Sequence, residues 1–539
     1  MLDLFKLTRL ISEFSHPRSA DVVVAHYIEI RYPREEFFSF SDPPNSVADL
    51  SDFEIMAART QVEQGTLEGV KEGDVFKFLG VPYAGPPVGD LRWRAPQPPD
   101  AWTGVRHAQK FGPISPQTVG ASFDVRQPEE SEDCLYLNVW TTTCEASDKQ
   151  PVMVWIHGGG NLGGAGSEDA FDGTRLAGKG VTLVTINYRL GAFGFLAHPK
   201  IGSNFGVLDQ IAALVWVRAN VAGFGGDPTN VTIFGQSAGA VAVRTLLSCP
   251  QAKGLFHRAI LQSPGFGPAF TQSWSSTRIY KAAEALFTKL GSEDPEELRR
   301  VPTAAVKKVS FELSGLPPPP GQVHTPANLV WMPIVDGKIV EHDLAGWPDT
   351  VPIMIGCVEN EARYFTRPGG NYTKQGLSAM IQVLCGSQAE AVDSIFEKSD
   401  VPLYDRLDKI FTTAIFTEPA MVGVRKFAAL GRRCYCYHFN RRSPGSVTRN
   451  ELAKHTAEIR YVFGNLTEDG YYDDSDHALS ELLQSAWVSF ARSGIPTSPD
   501  GHAWPAYDAS NPEVAWIEDG VDIREFPATD LMLAVNKLR

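Results

Sequence analysis

Cysteine is scarce in this sequence, and long apolar runs and clusters of basic residues are missing. Seven cysteines are spread over 539 residues, and neither their density nor their odd number is typical of a disulfide framework. No stretch approaches the roughly 20 uninterrupted apolar residues that a membrane-spanning helix requires, so we expect no integral membrane segment. The net charge of −14, without local positive charge, argues against nucleic acid as a partner.

The start of the chain lacks the parts of a secretion signal. Charged residues interrupt it from Asp3 onward, and neither an apolar core of about 7–15 residues nor a small-residue cleavage site is present. We therefore expect a cytoplasmic protein. Residues 1–55 are predicted to be an N-terminal extension, packed or frayed, because apolar residues at helical spacing are followed by a Phe/Ser/Pro-rich segment. A membrane-surface helix is the alternative for this segment.

From about Gly65 onward, short apolar runs alternate with longer helical patterns. Residues 206–221 have the length and period of a helix, and a second helix is predicted to begin near Ser237. The proline run at 317–320 predicts a loop. The predicted strands are Val152–Ile156, Val181–Asn187, Val231–Phe234, Val351–Gly356 and Cys434–Phe439. Strands that alternate with helices predict an α/β fold whose mainly parallel sheet is covered on both faces.

A G-x-S-x-G pentapeptide lies where a predicted strand meets a predicted helix. A sharp turn there forces the central Ser237 into a strained backbone conformation, and the residues two positions away must have almost no side chain. Gly235 and Gly239 meet that need. The pattern predicts a nucleophilic serine at the carboxyl edge of the sheet and disfavours the alternative, a helix-capping serine beside packing glycines.

Consecutive glycines follow the predicted strand that ends at Ile156. Their backbone N–H groups can approach a substrate without obstruction. The N–H groups of Gly159 and Gly160, with that of Ala238, are predicted to form an oxyanion hole. A flexible glycine-rich loop is the alternative. His157 precedes these donors and is interpreted as structural.

Two carboxylates are candidates for the acid that orients a catalytic histidine. On this type of fold the acid and the histidine follow the serine in the chain. Glu359 and Glu361 come after the strand Val351–Gly356, at a carboxyl end, where such sheets hold their reactive groups. Either side chain can take this role.

Three histidines beyond the serine remain candidates for the base. His455 precedes an apolar segment and suits a loop near the edge of the sheet, so it is favoured over His477 and His502. His438 lies within an alternating strand and is interpreted as a core residue.

Several segments together resemble the type-B carboxylesterase family. They include FLGVPYAGPPVGDLRWRAPQPP at 78–99, SEDCLYLNVW at 131–140, the glycine loop, INYRLGAFGFLA at 186–197, GQSAGA at 235–240 and WPAY at 504–507. The resemblance implies one α/β-hydrolase domain over residues 56–539, with a large, mainly parallel central sheet, helices on both faces and long insertions that form a gorge.

The resemblance also implies roles for individual residues. It makes Ser237 the nucleophile, Glu361 rather than Glu359 the acid, and His455 the base. It assigns the oxyanion hole to the amides of Gly159, Gly160 and Ala238. Arg92 and Glu132 resemble the structural ion pair of the family, and Ser263 resembles the serine that lies behind the triad.

The sequence departs from the family pattern at a disulfide and at the groups that bind choline. No cysteine precedes Cys134, so the disulfide of the secreted members cannot form. Gln236 stands where cholinesterases have glutamate, and residues 104–133 contain no tryptophan, so a cation–π face for choline is missing. Choline esters are therefore poor substrate candidates.

The predicted function is hydrolysis of small-molecule carboxylic esters through an acyl-serine, without a metal or a cofactor. The candidate walls of the substrate pocket are Phe266, Phe270, Trp331 and Met332. An acyltransferase, lactonase or thioesterase that uses the same acyl-serine is the first alternative. An adhesion or scaffold protein, like the inactive members of the family, is the second, and retention of the three triad residues argues against it.

Overall fold

The computed structural model describes residues 57–118, 129–265, 276–316, 329–341, 351–366, 369–370, 372–397 and 399–538. The described residues all belong to one compact unit. The predicted extension at 1–55, the proline run at 317–320 and the pocket candidates Phe266 and Phe270 lie outside the described residues.

Thirteen strands form one sheet. In chain order, β1 to β13 are Ala57–Val62, Gly65–Glu72, Val75–Pro82, Val105–His107, Tyr136–Thr141, Gln150–Ile156, Thr182–Ile186, Gly226–Gln236, Arg258–Gln262, Ile353–Val358, Cys434–Phe439, Glu513–Ile517 and Val521–Glu525. Across the sheet they follow the order β1-β2-β3-β5-β7-β6-β8-β9-β10-β11-β12-β13, with β4 beside β2. The strands from β7 to β12 in this order are parallel, and antiparallel strands extend both ends. The predicted α/β fold is confirmed, and the sheet is mixed at its ends.

The helices of the described residues pack around this sheet. In chain order, α1 to α16 are Thr174–Ala177, Gly191–Phe195, Phe205–Asn220, Ala238–Leu247, Ser276–Leu290, Pro295–Arg299, Thr303–Glu312, Ala362–Phe365, Lys374–Cys385, Ala389–Phe396, Leu403–Thr412, Glu418–Ala429, Pro444–Thr448, Ile459–Phe463, Asp474–Ser493 and Asp530–Asn536. A π-helical turn, Thr413–Thr417, joins α11 to α12. The helices predicted at 206–221 and after Ser237 correspond to α3 and α4.

The central strands are apolar on both faces because both faces are covered. Successive side chains of a strand point to opposite sides of the sheet. On β6, Val152, Val154 and Ile156 therefore belong to one buried cluster, whereas Met153 and Trp155 belong to another. Two hydrophobic cores sandwich the sheet, as expected for parallel strands.

Among the described residues, one helical stretch is long and apolar enough to span a membrane by length and composition. This stretch, Phe205–Phe224, has a mean hydropathy of 1.3, and 67% of that window is buried inside the protein.

Candidate active site

Ser237 makes the turn between the central strand β8 and helix α4. The strand ends at Gln236 and the helix begins at Ala238, which leaves Ser237 with φ 58° and ψ −125°. This backbone conformation costs on the order of 1–3 kcal/mol for a residue with a side chain. The Ser237 N–H donates to the carbonyl of Gln262 on β9 at 2.9 Å, which holds the turn against the neighbouring strand. The sequence prediction of a strained serine at this turn agrees with the geometry.

The glycines two positions from Ser237 let the turn pack directly against strand β6. A Cβ atom on Gly239 would lie 2.0 Å from the carbonyl oxygen of Ile156. A Cβ atom on Gly235 would lie 2.6 Å from the carbonyl carbon of Gly239. Both distances are far below van der Waals contact, so this close approach of three backbone segments requires glycine at both positions.

The loop after β6 presents backbone amides near the serine. Gly159 and Gly160 have φ of 93° and 65°, and a Cβ on Gly158 would lie 3.2 Å from the Cβ of Ser237. In the described part of the chain, no hydrogen-bond partner accepts from the N–H groups of Gly159, Gly160 or Ala238. Three amides at this edge of the sheet are thus available to a ligand.

Glu361 and His455 form a buried pair at the carboxyl edge of the sheet. The ring Nδ1 of His455 donates to Oε2 of Glu361, and the two side chains are 1% and 0% exposed. The other carboxylate oxygen of Glu361 accepts from the N–H of Val358 at 3.0 Å. The carboxylate is therefore fixed in orientation, and it fixes the imidazole with Nε2 directed away from it.

Gln236 makes the close contact with the remaining side of the His455 ring. Its amide nitrogen lies 3.1 Å from Nε2 and 3.3 Å from Nδ1. Among the described residues, the hydrogen-bond partners of the His455 ring are Gln236 and Glu361, and Ser237 is not one of them. A contact between nucleophile and base is often long in free enzymes and tightens when substrate binds. The Gln236 contact brings the strand end that carries Ser237 to the imidazole.

The other candidate acid and bases lie elsewhere. Glu359 accepts from Nε2 of His438 at 2.7 Å, and the His438 ring packs on Trp516 with centroids 4.4 Å apart. His438 is thus a core residue with its own carboxylate. His477 lies on helix α15, and the imidazole of His502 is 85% exposed at the surface.

His157 has a structural environment, as interpreted from the sequence. It is buried, its ring stacks on Tyr188 with centroids 4.5 Å apart, and Nδ1 lies 3.0 Å from the carbonyl oxygen of Gly158. Burial lowers the pKa of His157 to about 4, so the imidazole is neutral at pH 7.

Aromatic side chains that the sequence reasoning missed surround His455. The rings of Tyr364, Phe365 and Phe416 have their centroids 5.7, 5.0 and 4.9 Å from the imidazole. Tyr364 and Phe365 come directly after the segment that carries Glu361, and this adjacency is the signal that could have identified them. Phe416 comes from the π-helical turn, and nothing in its local sequence connects it with the histidine.

A cavity of about 330 Å³ lies beside this cluster. Gly158 and Gln236, which flank the serine turn, form one side of it. Thr456, Ala457 and Ile459, which follow the histidine, form another side. The cavity therefore lies next to the site, although neither Ser237 nor His455 lines it.

The two pocket candidates within the described residues are buried near the glycine loop. Trp331 is fully buried, and its indole N–H donates to the carbonyl of Ser310 at 2.8 Å. The sulfur of Met332 lies 3.2 Å from the amide nitrogen of Asn161, just after the glycines. Neither side chain lines the cavity beside His455, and a substrate contact for them stays a prediction.

Three further sequence predictions concern an ion pair of the fold, a cysteine without a disulfide partner and a serine behind the triad. Arg92 and Glu132 form a buried bidentate ion pair, with N···O distances of 2.7 and 2.5 Å. Cys134 is free and buried. The hydroxyl of Ser263 is buried without a hydrogen-bond partner among the described residues. In the same residues, no group of three or more His, Cys, Asp or Glu side chains has the arrangement of a metal site.

A central parallel sheet that carries a strained serine at a strand-to-helix turn, with a histidine–carboxylate pair at the same edge, defines an α/β-hydrolase. A family model described as the carboxylesterase family matches residues 57–530. The chain therefore belongs to the carboxylesterase family, and it is a carboxylic ester hydrolase of the serine type.

Known members of the family are similar over most of the chain. The fumonisin B1 esterase of Sphingopyxis macrogoltabida is 36% identical over 470 residues, which cover 83% of this chain and 84% of that protein. The para-nitrobenzyl esterase of Bacillus subtilis is 34% identical over 490 residues, which cover 87% and 96%. A solved structure of a PNB esterase superposes with a TM-score of 0.77 at 33% identity, and the match covers 88% of this chain and 99% of that one.

Proposed function

We propose that this protein hydrolyses carboxylic esters through an acyl-enzyme on Ser237, with His455 as general base and Glu361 as the acid that orients it. The observation that carries the proposal is the buried His455–Glu361 pair at the sheet edge where Ser237 makes its strained turn. Because Nδ1 donates to Glu361, Nε2 carries the lone pair that a base needs. The amide nitrogen of Gln236 lies 3.1 Å from Nε2, and the Ser237 hydroxyl must take its place for the reaction.

The reaction proceeds in two steps. His455 takes the proton of Ser237, and the serine oxygen attacks the ester carbonyl carbon. The negative charge that develops on the carbonyl oxygen is bound by the free amides of Gly159, Gly160 and Ala238, where removal of one such donor typically costs about 3–4 kcal/mol. The alcohol then leaves with the proton held by His455, and a water molecule repeats the sequence on the acyl-enzyme.

The cavity beside His455 is the proposed place for the alcohol part of the ester. The departing alcohol must lie next to His455 to receive its proton. The residues that follow the histidine line this cavity of about 330 Å³, together with Tyr471 and Tyr472.

The test compares a p-nitrophenyl ester series, from acetate to palmitate, across matched variants. Ser237→Ala is expected to lose about 10⁶-fold in kcat and all labelling by a fluorophosphonate probe. Glu361→Gln is expected to lose about 10⁴-fold, because the imidazole is left in the wrong tautomer.

Glu359→Gln is the matched control. Glu359 lies two residues from Glu361 and pairs with His438, so this variant is expected to stay within a few-fold of the wild type. Equal activity in Glu361→Gln and the wild type, or labelling that persists in Ser237→Ala, would show that the assignment is wrong.

A further inference from the structure

One buried arginine connects two segments of the chain. The acid segment, residues 360–363, carries the proposed acid Glu361, and the base segment, residues 450–456, carries the proposed base His455. Arg363 comes two residues after Glu361, and its side chain is 4% exposed. Its Nε donates to Asp408 at 2.7 Å and its Nη2 donates to Asp405 at 2.5 Å. Both aspartates lie on α11 (Leu403–Thr412), so these contacts dock the acid segment on that helix.

The third nitrogen of the same guanidinium holds the base segment. Nη1 of Arg363 donates to the backbone carbonyl of Asn450 at 3.0 Å and to its side-chain oxygen at 2.6 Å. Asn450 precedes His455 by five residues. We call Arg363, Asp405, Asp408 and Asn450 the arginine clamp.

Further hydrogen bonds connect the acid segment with helix α11 and with the base segment. The Asn360 side chain donates to Asp408 at 2.8 Å, and the N–H of Ala362 donates to the Thr412 hydroxyl at 3.2 Å. The N–H of Asn360 donates to the carbonyl of Ala453, in the base segment, at 2.9 Å. Glu361 thus lies between residues that are fixed on α11 and on the histidine loop.

The base segment has a backbone that needs outside support. Asn450, Leu452 and Thr456 have φ of 55°, 52° and 80°, in the left-handed region that residues with side chains adopt at a cost. Such conformations persist where surrounding contacts hold them. Within this segment, the Arg363 contacts fix both the carbonyl and the side chain of Asn450, where the strained stretch begins.

We propose that Arg363 is a positioning residue for ester hydrolysis, which sets the spacing between Glu361 and His455 through the arginine clamp. The inference rests on the proposed function of those two residues. A planar guanidinium donates in three fixed directions, whereas a lysine ammonium is a single point on a flexible stem. Lysine at this position keeps the charge beside Asp408 but loses the simultaneous hold on α11 and Asn450.

Steady-state kinetics of Arg363→Lys test the role. We expect kcat for p-nitrophenyl butyrate to fall about 10²-fold, a loss that a misplacement of about 1 Å can cause, with KM within two-fold. The rate of fluorophosphonate labelling at Ser237 falls in parallel. Arg299→Lys is the control, since Arg299 is also buried and holds the carbonyl of Arg92; its kcat is expected to stay within two-fold.

A double-mutant cycle separates positioning from a general structural effect. If Arg363 acts through the Glu361–His455 pair, then Arg363→Lys costs little more in kcat once Glu361→Gln has removed that pair. Losses that multiply instead, or an unchanged kcat in Arg363→Lys while Ser237→Ala is inactive, overturn the positioning role alone. Activity in Ser237→Ala overturns the proposed function, and the positioning role with it.

Variants of Asn450 keep the test decisive if Arg363→Lys fails to fold. Asn450→Asp retains both acceptors for Arg363 and is expected to keep kcat within three-fold. Asn450→Gly allows the left-handed backbone but removes the side-chain acceptor, and we expect about a ten-fold loss of kcat. Equal kcat in these two variants contradicts the proposal.

Discussion

Glu458 is a carboxyl group without solvent contact behind the proposed acid. One of its oxygens accepts from the side-chain amide of Gln262 at 3.2 Å, and Gln262 is oriented in turn by the indole N–H of Trp487 at 3.1 Å. The other oxygen has no hydrogen-bond partner among the described residues. Burial, and then the nearby charge of Glu361, raise the pKa of Glu458 to about 8. Glu458 is therefore neutral at pH 7.

This protonation predicts a fall in stability as the pH rises. Below about pH 4.5 Glu458 is protonated in both the folded and the unfolded chain, whereas between about 4.5 and 8 only the folded chain keeps the proton. The contribution of Glu458 to the free energy of unfolding therefore falls by up to about 1.4 kcal/mol per pH unit in this window. Glu458→Gln is isosteric and cannot ionise. Urea unfolding from pH 5 to 8 should show the wild type losing free energy of unfolding relative to Glu458→Gln, and a constant difference would contradict the assignment.

The roles of single residues were only partly predictable from the sequence. Ser237 and its glycines carry a local signal, because the turn itself demands small neighbours. Glu359 and Glu361 carry none that separates them, since both follow the same strand. The structure pairs them with different histidines, His438 and His455, and which pair forms depends on how β10, β11 and a distant loop come together.

At the scale of elements, the strand-to-helix turn at Ser237 is held by close backbone packing. The first turn of α4 lies against the end of β6, so closely that Gly239 has no room for a methyl group. The same contact holds Ala238 in place, and with it one of the three free amides. Packing and catalysis are therefore coupled at this junction.

Gly239→Ala is accordingly expected to shift the turn. The added Cβ would lie 2.0 Å from the carbonyl oxygen of Ile156. This oxygen belongs to the backbone of β6, so it cannot move away at low energetic cost. We expect a loss of about 3 kcal/mol or more in the free energy of unfolding and a fall in kcat that exceeds any change in KM. Gly520→Ala is the control, because a Cβ there meets nothing within 4 Å. Stability and kcat equal to those of the control would contradict this view of the turn.

Strands could be predicted from the sequence where both of their faces are buried. Apolar runs gave β6, β7, β8, β10 and β11 within a few residues, although β8 begins at Gly226, five residues before its predicted start at Val231. The antiparallel end strands were not predicted, since a half-exposed strand such as β2, GTLEGVKE, has a weak apolar pattern. The arginine clamp could not be predicted from the sequence either, because its aspartates on α11 lie more than 40 residues from Arg363 in the chain.

At the scale of the whole molecule, stability comes from two cores rather than from covalent links. A chain of this length buries most of its surface on folding, and the buried clusters on the two sides of the sheet extend from β1 to the last helix. All seven cysteines are free, and six of them are buried. In the secreted members of the family that the sequence resembles, the cysteine at this position forms a disulfide with an upstream cysteine. Here Cys134 lies in the first of the two cores.

Thiol titration checks this description of the molecule. The thiolate is the reactive form, and burial raises the pKa of the half-buried Cys144 to about 11 and that of the buried Cys249 to about 12. We expect at most one thiol to react with Ellman's reagent within minutes at pH 8 in the native protein, and Cys144→Ser should abolish that reaction. After denaturation without a reductant all seven thiols should react, and the thermal midpoint should be the same with and without a reductant. Fewer than seven thiols in the denatured protein would mean that a disulfide forms, which would contradict the seven free cysteines of this fold.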